Sequence, residues 1–319
     1  MRRTTSPLFS LFYNILVSTY IIRKVRLLSK IWFWLWNYQK SKYKGLILTN
    51  LHGYKAIVPN GHWYVLVCKV YPKFNSPLIA LCREVISTRN HKINIIDIGA
   101  AVGDTVFLLE SNFGKHINHY VCIDGDEEYI EIITENLKIF SERCTVISAL
   151  ISDRNEEIPE IIKIDPTTGS ANGTNKSLSK TADEIIHGTK IKSIDLIKID
   201  IDGFDGKAIG GLTNVLTLHQ PPIIFEWNPP LYHLVENDIF QPFEVLTSLG
   251  YNDFLWYSNT GQFSHYEIGF NKNVVDFMAS YCEAVEKISG AHFDIIAIHK
   301  NDKIKVYKIL TGNHQSYKH

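Results

Sequence analysis

The stretch that decides the fold reads Ile96-Asp97-Ile98-Gly99-Ala100-Ala101-Val102-Gly103-Asp104-Thr105. The apolar residues 93–98 predict a β-strand, and residues 103–112 predict a helix directly after it. Glycines in the turn allow the backbone to approach a ligand closely, and the first turn of the helix offers free N–H groups. The spacing is not the GxGxxG of dinucleotide-binding proteins, which disfavours a nicotinamide-dependent oxidoreductase. The pattern favours a ligand-binding turn, and an ordinary strand-to-helix turn is the alternative.

From this turn onward, short apolar segments alternate with helical stretches. Strands are predicted at 93–98, 120–123, 144–150, 194–199 and 222–226, and helices at 103–112, 127–140 and 207–218. Such alternation predicts a parallel sheet with helices on both faces. After it we expect helices at 240–249 and 274–289, and strands at 251–257, 293–299 and 303–309. The polar residues 153–175 predict a loop, and Asn60-Gly61 predicts the turn of an earlier hairpin.

Acidic side chains follow the predicted strands. Asp124 ends the second strand and is followed by Gly125 and Asp126. An acid at this position can accept hydrogen bonds from a ribose diol, and ligands of such sheets bind at the carboxyl ends of the strands. Ser148 and Ala149 end the third strand, where an adenine ring would pack.

A cluster of carboxylates ends the fourth strand. Asp200, Asp202 and Asp205 surround Gly203, and Glu226 ends the fifth strand at the same edge of the sheet. Repulsion makes such a cluster costly unless it binds a cation or raises a pKa for base catalysis. Capping of a helix by Asp202 or Asp205 is the alternative. The next residue after Glu226, a tryptophan, is either a pocket wall or ordinary core.

Together these segments, between residues 78 and 257, resemble the FkbM family of S-adenosylmethionine-dependent methyltransferases. The matching segments are D-x-G-A-x-x-G-D-T, S-A-L-x-S-D, I-D-L-I-K-I-D-I-D-G-F-D, E-W-N-P and L-G-Y. The resemblance implies an α/β class I methyltransferase fold, a Rossmann-like, seven-stranded and mostly parallel sheet with helices on both faces. Asp124, Asp202 and Asp205 stand where the family usually has Glu, and Gly125 where it usually has Pro, so some contacts need a closer backbone.

The resemblance also implies O-methyl transfer from S-adenosyl-L-methionine to a hydroxyl of a sugar, glycan or secondary-metabolite acceptor. The cofactor-binding residues expected are Asp97, Gly99, Ala100, Ala101, Gly103, Asp104, Thr105, Asp124, Gly125, Asp126, Ser148 and Ala149. Asp200 or Asp202 is expected to be the general base, with Glu226 as a positioning residue. Alternatively, Asp200 and Asp202 would hold a divalent ion that lowers the pKa of the hydroxyl, although no metal is predicted. His233 and His265 are weaker base candidates.

The charges are distributed unevenly along the chain. The 319 residues carry 33 basic and 33 acidic side chains, yet the first 83 residues contain 13 Lys or Arg and no acid. The remainder therefore has 20 basic and 33 acidic side chains. Such asymmetry suggests an anionic partner for the basic end, namely a membrane surface, an anionic glycan or a nucleic acid. A nucleic-acid methyltransferase and a non-catalytic scaffold with a degenerate methyltransferase fold are the alternative functions. We expect no nucleic-acid partner, because the sequence shows no RNA-binding module.

The first forty residues combine an uncharged run with clustered tryptophans. Residues 4–22 carry no charge and are flanked by arginines, and Trp32, Trp34 and Trp36 follow. This composition is typical of a segment lying on a membrane, so peripheral membrane or oligomer contact through residues 1–40 is expected. A helix packed on the catalytic domain and a spanning helix are the alternatives. The oligomeric state is not predicted.

Three segments are predicted along the chain. Residues 1–44 form a basic, aromatic-rich helical extension, 45–90 a small β-region with a lead-in helix, and 91–319 the methyltransferase domain. The five cysteines are scattered without zinc-ligand spacing, which favours a reducing compartment. The expected location is therefore the cytoplasm, at the cytoplasmic face of a membrane where the N-terminal contact forms.

Overall fold

The computed structural model describes residues 5–163, 169–189 and 191–312. Its strands are β1 (Leu46–Leu51), β2 (Tyr54–Pro59), β3 (Ile93–Ile98), β4 (Ile117–Asp124), β5 (Cys144–Ser148), β6 (Leu150–Ile151), β7 (Glu157–Lys163), β8 (Gly169–Lys180), β9 (Leu196–Ile199), β10 (Ile223–Trp227), β11 (Tyr251–Ser258), β12 (Phe263–Ile268) and β13 (Phe293–His299). Its α-helices are α1 (Pro7–Ser18), α2 (Arg26–Lys42), α3 (Tyr64–Val70), α4 (Ser76–Thr88), α5 (Asp104–Phe113), α6 (Glu127–Asn136), α7 (Ala182–His187), α8 (Asp205–Gly210), α9 (Thr213–His219), α10 (Pro229–Leu234), α11 (Gln241–Ser248), α12 (Lys272–Ser289) and α13 (Val306–Gly312).

The central sheet has the strand order β12-β11-β13-β10-β9-β3-β4-β5. The five strands from β5 to β10 are parallel, and β13, β11 and β12 are antiparallel to their neighbours. This arrangement confirms the predicted class I, Rossmann-like α/β fold, with β12 as one edge strand more than the seven expected. The chain leaves β3 first toward β4 and later reaches β9 on the other side. This change of direction creates a switch point, where ligands of open α/β sheets bind.

The sequence of β3 explains its central position. All six residues of β3 are buried, as expected of a parallel strand covered by helices on both faces. Ile95 belongs to one hydrophobic cluster and Ile96 to another. Because successive side chains of a strand point to opposite faces, β3 separates two cores and its end is held rigidly between them.

The first hairpin turns at a different dipeptide from the one predicted. Leu51 pairs with Tyr54, so His52 and Gly53 form the two-residue turn between β1 and β2. Both have positive φ, 50° and 95°, as the favoured hairpin turn with two left-handed residues requires. Asn60 instead lies after β2, where its side-chain amide donates hydrogen bonds to two backbone carbonyls at the end of α2.

Two other expectations are wrong. Residues 153–175 were expected to form a loop, but β7 and β8 pair antiparallel there, while residues 164–168 lie outside the described chain. Of the predicted strand at 303–309, residues 303–305 belong to no helix or strand, and residues 306–309 begin helix α13. Its apolar residues Val306, Ile309 and Leu310 have helical spacing, and Ile309 is fully buried.

The N-terminal extension packs against the small β-region through its aromatic side chains. Tyr13, Trp32 and Trp36 are at most 2 % exposed, and only Trp34 of the three clustered tryptophans faces outward. Trp32 and Trp36 are therefore core residues, so the expected outward-facing cluster is reduced to one ring. In the part of the chain that the structure describes, no helix is both long and apolar enough to cross a membrane.

Candidate active site

A cavity of about 1120 Å³ opens at the carboxyl ends of the parallel strands. Ile98, Asp124, Asp200 and Glu226, which stand at or beside the ends of β3, β4, β9 and β10, line it. Ligand pockets usually measure about 300 to 1,000 Å³. The cavity therefore has room for a nucleoside-sized molecule and a second molecule beside it.

The glycine turn after β3 is shaped by close backbone packing. Gly99 has a φ of +82°, and a Cβ at this position would lie 1.8 Å from the carbonyl oxygen of Asp200. Only glycine fits there, because a side chain would collide with the loop after β9. Gly103, with a φ of +83°, ends the turn directly before α5. The turn thus brings the two loops of the switch point into contact.

Asp124 is held in front of this turn by backbone hydrogen bonds. The N–H groups of Ala101 and Asp126 donate to its two carboxylate oxygens at 2.8 and 2.9 Å. Burial raises the pKa of Asp124 to about 6, although these hydrogen bonds counteract the rise. Each oxygen keeps a lone pair for a ligand hydroxyl. Asp126 caps α6 by accepting from the N–H groups of Glu128 and Tyr129.

Lys198 on β9 connects two of the predicted site residues. Its Nζ lies 3.1 Å from Oδ2 of Asp200 and 3.6 Å from Oδ1 of Asp97. The Asp97 side chain is fully buried, and neither carboxylate oxygen has a hydrogen-bond partner among the described residues. Burial raises the pKa of Asp97, and Lys198 counteracts this rise. Asp97 thus holds Lys198, which in turn contacts Asp200 at the cavity wall.

Two further acids near Lys198 have strongly raised pKa values. Burial raises the pKa of Asp104 to about 7, and the neighbouring Asp97 adds to the rise. Burial likewise raises the pKa of Asp294, on β13, to about 7, with further contributions from Glu226 and Asp200. Like charges in this group of partly buried carboxylates disfavour one another's ionisation. This group of carboxylates would therefore favour the binding of a cation, which would relieve the repulsion.

Glu226 is paired with a histidine that the sequence did not indicate. His292 Nε2 lies 3.2 Å from Glu226 Oε2, and His292 Nδ1 lies 2.9 Å from the carbonyl oxygen of Gly290. Burial alone would lower the pKa of His292, but Glu226 raises it to about 9, so the ring is an imidazolium at neutral pH. Burial would raise the pKa of Glu226, but His292 holds it below its ordinary value. Asn228 donates to the other oxygen of Glu226 at 3.3 Å.

The loop after β9 is stabilised by Asp205. This carboxylate is fully buried and accepts hydrogen bonds from the N–H groups of Ile201 and Gly203. Through these two hydrogen bonds, Asp205 stabilises the conformation of the loop. Asp202 has a φ of +51°, an uncommon conformation for a residue with a side chain, and lines the cavity.

The predicted site residues divide between the wall of the cavity and the structure behind it. On the wall are Gly99, Ala101, Asp104, Asp124, Gly125, Asp126, Ala149, Asp200, Asp202 and Glu226. Asp97, Ala100, Gly103, Thr105 and Ser148 do not line the cavity. A contribution of these five to ligand binding would be indirect, and cofactor binding by all of these residues stays a prediction.

Much of the remaining wall was not foreseen from the sequence. Aromatic side chains from the lead-in region and from the C-terminal part complete it, namely Trp63, Tyr64, Tyr71, Phe74, Phe263, Phe277 and Tyr281. Strand-end motifs give no signal for these residues, because they reach the cavity from other elements. Trp227 is fully buried core, with its indole N–H bonded to the Ile239 carbonyl, and does not form the wall.

The two histidines that were weaker candidates for the general base lie outside the cavity. His233 pairs with Glu283, and His265 stacks on Trp256, and neither lines the cavity. Within the described ranges, no group of three or more His, Cys, Asp or Glu side chains is placed to hold a metal ion.

Comparison with protein families decides the identity of this site. Residues 97–254, about half of the chain, match the model of the methyltransferase FkbM domain. The chain belongs to the FkbM methyltransferase family. The matched range begins at Asp97 and includes the glycine turn, Asp124, the carboxylates after β9 and Glu226 near the end of β10. The cavity is therefore the candidate active site of a methyltransferase.

Solved methyltransferase structures overlap with parts of this FkbM chain. The FkbM methyltransferase from Methylobacillus flagellatus is 16 % identical with a TM-score of 0.38, over 58 % of this chain and 54 % of the other. An O-methyltransferase from Bacillus cereus in complex with SAH is 16 % identical with a TM-score of 0.40, over 73 % and 89 %. A putative O-methyltransferase from Klebsiella pneumoniae is 12 % identical with a TM-score of 0.40, over 73 % and 89 %.

The overlap with the Methylobacillus structure spans about half of that protein's length. No curated protein matches this chain. The family assignment therefore rests on the domain match.

Proposed function

We propose that this methyltransferase uses S-adenosyl-L-methionine to methylate a hydroxyl group of a sugar, glycan or related secondary-metabolite acceptor. The proposal rests on one observation: strand-end residues and aromatic side chains line the same cavity. Its wall contains strand-end groups, namely the glycine turn, Asp124 and Asp200, and it also contains aromatic side chains from the lead-in region and the C-terminal part. Donor and acceptor would thus lie side by side in one cavity.

The donor half fits a nucleoside with a cationic tail. Asp124 offers lone pairs to a ribose diol, and Gly125 and Ala149 are small wall residues beside it. Around Asp104, the carboxylates of Asp104 and the buried Asp97 outnumber the neighbouring cation Lys198, which suits the sulfonium and ammonium groups of the donor. When bound there, S-adenosyl-L-methionine supplies an electrophilic methyl group for in-line displacement by an acceptor oxygen.

The acceptor half fits a polyhydroxylated ring. Tyr71, Phe74 and Phe263 contribute ring surfaces on which the apolar face of a sugar can pack. Asp200 and Asp202 line the same cavity and can accept hydrogen bonds from hydroxyl groups. An apolar pocket with a few converging polar groups is the usual design of a small-molecule site.

Asp200 is the better of the two predicted bases. Its side chain is 44 % exposed, and Lys198 contacts only its Oδ2 atom, so Oδ1 can accept the hydroxyl proton. Glu226 has both oxygens engaged by His292 and Asn228, which suits a positioning residue. The proton of the acceptor hydroxyl would pass to Asp200 as the oxygen bonds to the methyl carbon. Holding the two reactants aligned would supply much of the rate enhancement.

The test is methyl transfer from isotopically labelled S-adenosyl-L-methionine to a panel of acceptors. The panel contains free and lipid-linked sugars, hydroxylated small molecules and RNA. We expect label in a methyl ether of a sugar-type acceptor, with S-adenosylhomocysteine as the other product. Transfer to RNA alone would overturn the proposed acceptor class. A protein whose melting temperature does not rise with the donor would be a non-catalytic scaffold, because a ligand of the native state must stabilise it.

A further inference from the structure

The outer side of the N-terminal extension is unusually apolar. Of the 22 large apolar side chains exposed among the described residues, ten lie between residues 8 and 38. They are Leu8, Leu11, Ile15, Ile21, Val25, Leu28, Ile31, Phe33, Trp34 and Tyr38. We call these ten residues the N-terminal surface. Single exposed apolar residues are ordinary, whereas a concentration of this kind marks an interaction site.

Helix α1 is apolar on both of its faces. Tyr13 and Leu16 are at most 2 % exposed and pack inward. Leu8, Leu11 and Ile15 are 71, 60 and 49 % exposed and share the opposite face, because they are three and four residues apart. A helix that only packs on its own domain has polar residues on the outer face. The outer face of α1 therefore offers an apolar surface to a partner outside the fold.

Helix α2 repeats this arrangement with aromatic residues. Trp32 and Trp36 are buried, whereas Ile31, Trp34 and Tyr38 are 51, 63 and 44 % exposed. The three exposed residues are again three and four positions apart, and the Trp34 and Tyr38 rings stack at 5.6 Å. Indole and phenol rings are the side chains enriched at the headgroup level of membranes.

The charge of this region identifies the partner. The first 83 residues contain no acid, and Arg23, Lys24, Arg26 and Lys30 lie between or within the exposed apolar positions of α1 and α2. A second copy of this chain would bring like charges together. A nucleic acid would match the charge, but would leave Leu8, Leu11 and Ile15 in water. An anionic lipid leaflet matches both the cations and the apolar side chains.

We propose that the N-terminal surface binds the surface of an anionic lipid bilayer. The apolar side chains enter the boundary between headgroups and acyl chains, and the cations contact lipid phosphates. The same helix also supports the active site, because the buried Trp36 packs on Trp63 at 4.8 Å, and Trp63 lines the cavity. The proposal is independent of the identity of the acceptor.

The experiment measures binding of the full-length protein to two kinds of vesicle, by cosedimentation and tryptophan fluorescence. One kind contains phosphatidylcholine alone, and the other contains phosphatidylcholine with phosphatidylglycerol. We expect at least about tenfold stronger binding to the anionic vesicles, with a decrease at high salt. Leu11→Ser with Trp34→Ser, and separately Lys24→Glu with Lys30→Glu, should each reduce that binding at least about tenfold.

Matched controls exclude general effects of the substitutions. Leu218→Ser removes a side chain that is 77 % exposed on α9, and Lys300→Glu reverses an exposed charge near the end of β13. Both should leave vesicle binding unchanged, and all variants should keep the native melting temperature. Equal binding to both vesicles, or no binding to either, overturns the proposal. Self-association or RNA binding that Trp34→Ser removes, without vesicle binding, also overturns it and identifies the other partner.

Discussion

The active-site cavity and the N-terminal surface use charge in opposite ways. In the cavity, Asp104, Asp124 and His292 are partly or largely removed from water, and their pKa values are shifted to about 7, 6 and 9. Beside the residues of the N-terminal surface, Lys24 and Lys30 are exposed to solvent. Because water screens exposed charges strongly, each cation there has a small effect, and only their sum attracts a partner. A net charge of zero thus conceals one region in which buried charges have shifted pKa values and another in which exposed charges are screened by water.

The largest effect is expected in the cavity, at Asp200. Replacing it by asparagine, Asp200→Asn, removes the proposed base but keeps the size of the side chain. Turnover should fall by about 10²- to 10⁴-fold, the usual contribution of a general base. Affinity for S-adenosyl-L-methionine should stay within about tenfold, because Asp200 is proposed to act on the acceptor. Initial rates with labelled donor and calorimetric binding separate the two quantities.

Two aspartates provide the comparison for this measurement. Asp276→Asn changes an exposed acid on α12, and turnover should be unaffected. Asp202→Asn tests the other candidate for the base. If Asp202→Asn abolishes turnover while Asp200→Asn retains it, the two roles are reversed. If both variants keep full turnover, neither aspartate is the base.

The second largest effect is expected at Lys198. Replacing it by methionine, Lys198→Met, leaves the fully buried Asp97 without its counter-charge. Removing one partner of a buried ion pair typically costs about 3 to 5 kcal/mol of unfolding free energy. The loss should be smaller at pH 5 than at pH 8, because the raised pKa of Asp97 allows it to take up a proton. Urea unfolding at the two pH values measures this, and an unchanged stability would show that Asp97 does not need Lys198.

The strand-end positions in the cavity could be predicted from the sequence. An apolar strand followed by a glycine turn fixes where the carboxyl end lies, so Gly99, Asp124 and Asp200 were assigned to one edge of the sheet, and they line one cavity. A parallel strand buried on both faces is a continuous apolar run, so the point where the run stops locates its carboxyl end. The family resemblance added the order of these motifs and the methyl-transfer chemistry.

Contacts between distant elements could not be predicted. His292 reaches Glu226 only because β13 inserts beside β10, and no local pattern records that pairing. The aromatic wall around Trp63 depends in the same way on how the lead-in region folds over the sheet. The clustered tryptophans show a further limit, because residues spaced by two on a helix point in different directions, so Trp34 is exposed while Trp32 and Trp36 are buried.

A smaller effect concerns the pH dependence of donor binding in the cavity. A bound cation favours the ionised forms of Asp104 and Asp124, whose pKa values are about 7 and about 6. Affinity for S-adenosyl-L-methionine should therefore rise by about tenfold from pH 5.5 to pH 8, with release of protons on binding. S-adenosylhomocysteine lacks the sulfonium charge and should show a weaker dependence. Calorimetry in buffers of different ionisation enthalpy counts the protons, and affinity that falls with pH would contradict the role of these acids.

The smallest effect is expected at Lys30, which provides the exposed counterpart of Lys198. Lys30→Met removes the same side chain type from the solvent-exposed side of α2, where Lys30 forms no ion pair with an acid among the residues that the structure describes. The unfolding free energy should change by no more than about 0.5 kcal/mol, as at most surface positions. The substitution should also leave methyl transfer to a soluble acceptor unchanged. A loss comparable to that of Lys198→Met would show that the cations beside the N-terminal surface stabilise the fold, and the contrast between the two regions would no longer hold.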